Sequence, residues 1–107
     1  MTKKSKVAYS EFVIEAEELL ESMGDRLTAL EKDAEEGTVD PGMVNDFFRS
    51  MHTLKGLSGM LGLQGVSKLS HSLENLMECL RMGKIDFQQG ALDVLFSGIE
   101  SLNKLVA

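Results

Sequence analysis

The sequence predicts an all-α protein, an antiparallel up-down-up-down four-helix bundle, from three observations. Apolar residues recur at spacings of three and four through four separate stretches. The stretches are joined by short connectors punctuated by glycine and the single proline. No run alternates apolar and polar residues in the way a half-buried strand would.

The first nine residues, with three lysines among the first six, read as a flexible, solvated tail. Ser10 then suits an N-cap and Glu11 a first helical turn. Phe12, Ala16, Leu19, Leu20, Met23, Leu27 and Leu30 follow at helical spacing, which predicts a long amphipathic helix over 10–34 that Gly24 interrupts without ending. Glu15, Glu17, Glu18, Glu21, Asp25 and Arg26 fall mostly on other faces, as an ordinary wet surface.

Gly37 stands where this helix would stop, and Asp40-Pro41 has the form of an N-cap followed by a first helical residue. The second helix is predicted over 41–61, with Met43, Phe47, Met51, Leu54, Ser58 and Leu61 along its core side. Gly62-Leu63-Gln64-Gly65 is too short to let the third helix lie anywhere but antiparallel to the second. Val66, Leu69, Leu73, Leu76, Met77 and Leu80 give the third helix its apolar stripe, while Ser67, His71, Glu74 and Glu78 take the polar side. Glu74 lies at the edge of that strip, placed to reach the facing helix. A basic last turn and Gly83 end the third helix. Asp86-Phe87-Gln88-Gln89 has capping-box spacing. Leu92, Leu95, Phe96, Ile99, Leu102 and Val106 then supply the fourth core face. One domain over 10–107 accounts for the chain, with no repeat or second boundary.

Composition narrows the functional classes. A net charge of −6 argues against nucleic acid as a partner, because neutralising its phosphates needs clustered Lys and Arg. No apolar run approaches the ~20 residues of a membrane span, and Met1 to Lys6 leads into no signal-peptide core. A cytoplasmic protein that does not engage membranes is expected. Cys79 is alone, so it offers neither an internal disulfide nor a metal-binding pair. The seven methionines sit mostly at or near apolar positions and read as core filler.

The stretch that carries chemistry is Phe48-Arg49-Ser50-Met51-His52-Thr53-Leu54-Lys55-Gly56-Leu57-Ser58-Gly59. On a helix His52 lies well away from the core stripe, with Lys55 and Gly56 bordering it and Gly59 almost directly beneath. Each helical glycine costs about 1 kcal/mol relative to alanine, so a compensating role is expected. A protruding neutral imidazole is a competent nucleophile, Lys55 could attract phosphoryl oxygens, and Gly56 and Gly59 would leave room for a docking partner. The plainer alternative is a surface histidine on a helix whose glycines permit close packing.

His52-Thr53-Leu54-Lys55-Gly56, preceded by Phe47-Phe48-Arg49-Ser50-Met51 and followed by Ser58-Gly59-Met60-Leu61-Gly62, closely resembles the phosphoacceptor helix of histidine-phosphotransfer (HPt) domains, most of all those of chemotaxis-type kinases, the CheA group. The resemblance continues through Ser67-Lys68-Leu69-Ser70-His71-Ser72-Leu73-Glu74-Asn75-Leu76-Met77, where that group has a second histidine and, three residues on, a glutamate. It covers roughly residues 10–107 and implies the four-helix bundle. A fifth helix, usual in the CheA group, is not expected within this sequence.

The resemblance implies that His52 accepts a phosphoryl group, that Lys55 draws in its oxygens, that Glu74 orients the imidazole and that His71 supports the same polar patch. An ATP-binding kinase domain would load His52, and an aspartate on a CheY-like response-regulator receiver domain would unload it. ATP and Mg²⁺ would belong to those partners, since no glycine-rich nucleotide loop or Mg²⁺-binding carboxylate set is visible. The isolated domain, expected to be monomeric, would need no cofactor and have no autonomous activity, serving within a CheA-type histidine protein kinase. Phe48 and Met60 are candidates for a receiver-docking surface. Three other readings compete: a metal site of His52, His71, Glu74 and Glu78; the dimerisation and phosphoacceptor hairpin of a sensor kinase, where an acidic residue usually follows the histidine and here Thr53 does; and a structural helical module.

Overall fold

Lys3 to Glu36 form α1, a helix of 34 residues, in a computed structural model that describes residues 3–107. At about 1.5 Å per residue such a helix is about 50 Å long, and it matches the 50 Å long axis of the molecule. The start differs from the sequence reading. Ser10 is an exposed position inside the helix, and most of the expected tail is helical; Met1 and Thr2 lie outside the described residues. No glycine or proline lies between Lys3 and Ser10, so a helix nucleated further along can propagate back through them. Tyr9 and Phe12 stack obliquely, with ring centroids 6.4 Å apart.

Helices α2 (Pro41–Met60), α3 (Gln64–Arg81) and α4 (Gln89–Val106) complete the fold, with no strand among the described residues. Asp40 caps α2 as expected, its Oδ1 accepting from the Gly42 amide at 2.9 Å with Pro41 in the first turn. The turn from α2 to α3 depends on Gly62, whose φ of 71° lies in the left-handed region. There the Leu63 amide bonds back to the Ser58 carbonyl (2.9 Å) and the Gly62 amide to that of Gly59 (3.1 Å), a Schellman stop. The same pattern closes α1 at Gly37 and α3 at Gly83.

Asp86 does not cap α4. Gln88 takes the N-cap position without a side-chain cap bond, and the Asp86 carbonyl accepts from the Gln88 amide at 2.8 Å. Half-buried Phe87 packs against the core, drawing the connector inward and delaying the helix past the expected box. Gln89 instead binds outward, its Nε2 donating to Asp93 (2.8 Å) and, across to α1, to Glu31 (3.0 Å).

Each helix packs on two others: α1 on α2 and α4, α3 on α2 and α4. The result is a square, and the contacts run in opposite chain order. Phe48, His52 and Gly59 of α2 meet Arg81, Glu74 and Ser67 of α3. Gly65 and Leu73 of α3 lie by Leu105 and Gly98 of α4. This is the predicted antiparallel four-helix bundle.

The core holds Phe12, Ala16, Leu20, Met23, Leu27 and Leu30 of α1 with Phe47, Met51 and Leu54 of α2, along with Leu73, Met77, Leu80, Leu92, Leu95 and Leu102. Val44 joins them, although the predicted stripe omitted it. Leu61 departs from that stripe: it caps α2 and is exposed. Two serines are fully buried between helices. Ser58 Oγ donates to the Leu54 carbonyl at 2.8 Å, while Ser70 Oγ has no partner among the described residues. Gly98 has a packing reason: a Cβ there would come within 2.5 Å of Leu73.

Candidate functional site

Buried Met51 and Leu54 pin the middle turns of α2 to the core, so the intervening His52 must face outward. Its side chain is 63% exposed. On α3, buried Leu73 and Met77 set the rotation in the same way and leave Glu74 at the seam with α2, only 12% exposed. The seam places three predicted residues in direct contact. His52 Nδ1 lies 2.9 Å from Glu74 Oε2, and Lys55 Nζ donates to Glu74 Oε1, also at 2.9 Å.

An ionised carboxylate can only accept, so at neutral imidazole the proton of this pair sits on Nδ1. Nε2 is then left with its lone pair. For Glu74, burial pushes the carboxyl pKa up, but hydrogen bonds from Lys55 and His52 and their positive charges outweigh it and hold the group below its ordinary 4.5. Glu74 is thus an anion hydrogen-bonded to the imidazole, the arrangement found where a carboxylate stands behind a metal-bound or catalytic histidine. Lys55, 26% exposed, sets its ammonium against the other oxygen of the same carboxylate with donors to spare.

The other predicted residues fall elsewhere. His71 is exposed on α3 and, among the described residues, makes no hydrogen bond to His52, Lys55 or Glu74. Gly56 is exposed, and a Cβ there would meet nothing within 4 Å. Gly59 faces α3, where a Cβ would lie 3.6 Å from Ser67 Oγ. Met60 is 84% exposed. Phe48, expected on the surface, is half-buried against the core. Its ring lies nearly parallel to the imidazole, 14° between planes and 6.4 Å between centroids, and the Arg81 guanidinium covers it at 4.6 Å.

The geometry does not favour the metal reading. No group of three or more His, Cys, Asp or Glu side chains among the described residues is placed to hold an ion. Glu78 is turned instead to Arg81, which grips it through two guanidinium nitrogens at 2.7 to 3.0 Å. The sequence does not reveal that pair or its link through Phe48 to the histidine. The i,i+3 spacing of Glu78 and Arg81 was the available signal, but it says nothing about the ring on the facing helix.

A family model described as the Hpt domain matches residues 8–106. The chain belongs to the Hpt family. The CheA phosphotransferase domain from Thermotoga maritima has the same fold, with a TM-score of 0.86 and 33% identity over 98% of this chain and 95% of that one. The chemotaxis protein CheA of Bacillus subtilis (strain 168) is 36% identical over 95 residues, 89% of this chain. That of Halobacterium salinarum is 35% identical over 94 residues, 85% of this chain. The chain spans only 14% and 13% of the length of those two relatives. It is an Hpt domain of the CheA type, a phosphotransfer domain of two-component signalling, and the competing classes are not favoured.

Proposed function

We propose that His52 is the phosphoacceptor of this Hpt domain, loaded from ATP by a histidine-kinase ATP-binding domain and unloaded onto an aspartate of a response-regulator receiver domain. The observation that carries the reading is the Nδ1 contact with Glu74 on an imidazole that otherwise faces solvent. Both halves are needed. Exposure lets two large partners reach the ring in turn, and the contact assigns the proton of the neutral ring to Nδ1, which leaves the lone pair on Nε2.

In the loading step the Nε2 lone pair attacks the γ-phosphorus, an N–P bond forms, and the bond from phosphorus to the bridging oxygen breaks with its electrons leaving on ADP. Glu74 stabilises the positive charge that develops on the ring, and Lys55 offers donors to the equatorial phosphoryl oxygens. In the second step an aspartate oxygen attacks phosphorus and the N–P electrons return to Nε2. The chain supplies the carrier and its alignment. ATP and Mg²⁺ are bound by the partners, and the bare backbone at Gly56 with exposed Met60 belongs to the face they approach.

The test is incubation with a CheA-type kinase core and labelled ATP, comparing wild type with His52→Gln. Acid-labile, base-stable label is expected on the wild type and none on the variant. Equal labelling of both would refute the assignment.

A further inference from the structure

The contact with Glu74 holds the imidazole at one edge only. With 63% of the side chain exposed, few packing contacts limit how the ring tilts about its bond to Cβ. Among the described residues the flat surface beside it is Phe48, one helical turn earlier, at a separation and near-parallel angle within the range of offset aromatic pairs. Phe48 is packed on two sides. The core supports it from below, and from α3 the Arg81 guanidinium lies over its face at a cation–π distance. Arg81 is held in its turn by Glu78, with both carboxylate oxygens engaged.

We propose that Phe48, clamped by Arg81, is a positioning residue that fixes the plane of the His52 imidazole and so the direction of the Nε2 lone pair. This deepens the carrier reading and rests on it. α3 then controls the histidine at two places: Glu74 selects the nitrogen that carries the proton, and the stack of Arg81 on Phe48 selects where the other nitrogen points. In-line attack on phosphorus depends on that direction, because misplacement of a reacting group is costly in rate.

The experiment uses Phe48→Leu, which keeps bulk but removes the flat face, Arg81→Gln, which alters only the exposed clamp, and Phe48→Tyr, which restores the ring. Two quantities are read: the NMR order parameter of the His52 ring and the initial rate of loading by a kinase core at saturating ATP. Phe48→Leu and Arg81→Gln are expected to lower the order parameter and slow loading on the order of 10-fold. Phe48→Tyr retains both. The double variant is no slower than Phe48→Leu, since the two residues act as one unit.

A purely structural role would lower the melting temperature and leave ring order in the folded protein unchanged. Ring order and rate equal to wild type in both Phe48→Leu and Arg81→Gln overturn the proposal, and Arg81→Gln decides alone if Phe48→Leu does not fold. Wild-type protein that takes up no label at His52 would sink the carrier reading instead, while ring order still judges the clamp.

Discussion

Glu74 joins His52 at 2.9 Å across the α2–α3 seam, and the two side chains differ sharply in exposure, 12% for the acid and 63% for the imidazole. A largely buried anion therefore sits behind a largely exposed nucleophile. Removing the anion should change the state of the ring without changing access to it. In Glu74→Gln, loading of His52 by a kinase core is expected to continue at a rate lower by roughly 10- to 1000-fold. Label uptake at wild-type rate would show that the contact has no part in transfer.

Lys55 shares Glu74 with the histidine, so its loss has two opposed effects. Lys55→Ala removes the ammonium that draws phosphoryl oxygens, but it also leaves Glu74 to His52 alone. The first effect acts on the transition state and dominates: a net slowing on the order of 10-fold is expected. His71 makes neither contact, and His71→Gln should slow loading less than either change. Initial rates of the three variants under one condition test that order, and a His71 variant slower than Glu74→Gln would reverse it.

The lowered pKa of Glu74 makes stability depend on pH in a definite direction. A carboxyl whose folded pKa lies below its unfolded one stabilises the fold above the unfolded value, near 4.5, and loses that contribution as pH falls through the folded value. Glu74→Gln lacks the ionisable group. The stability difference between wild type and Glu74→Gln should be present at about pH 5.5 and narrow towards pH 3. Urea melts at pH 7 and pH 3 measure it, and a gap that widens in acid would mean that the folded protein disfavours the anion.

Two glycines separate packing from docking. Gly56→Ala meets nothing within 4 Å, so it should stabilise α2 by about 1 kcal/mol through helix propensity. If the bare backbone there serves an approaching kinase domain, the same change raises KM for loading while the melting temperature rises. Gly98→Ala drives a Cβ against Leu73, and overpacking costs typically about 1–3 kcal/mol, offset in part by propensity. A lower melting temperature with unchanged loading of the folded protein is expected. Thermal melts alongside loading kinetics distinguish the two positions.

The sequence by itself determined the four helices, their order and antiparallel course, because apolar spacing and the glycines at 37, 62 and 83 are local instructions. It also placed His52 outward and Glu74 at the edge of its polar strip, since the buried neighbours of each set the helix rotation. Where a local signal lacked tertiary support it failed. Ser10 does not start a helix that has no reason to stop before Lys3, and Asp86 does not cap one while Phe87 is drawn into the core.

The pairing of Glu74 with His52 was already implied by the resemblance, but only the tertiary structure decided the other contacts around the ring. The sequence places Phe48 on the surface, because its own helix cannot show that Arg81, 33 positions along the chain, folds over its face. His71 and Glu74 share a polar strip, yet the packing of α3 on α2 brings the glutamate to the histidine and leaves His71 out of that contact. Helical periodicity assigns a residue to a face, but contact across a seam depends on the distance, tilt and offset of two helices, and these are set by packing of the whole core.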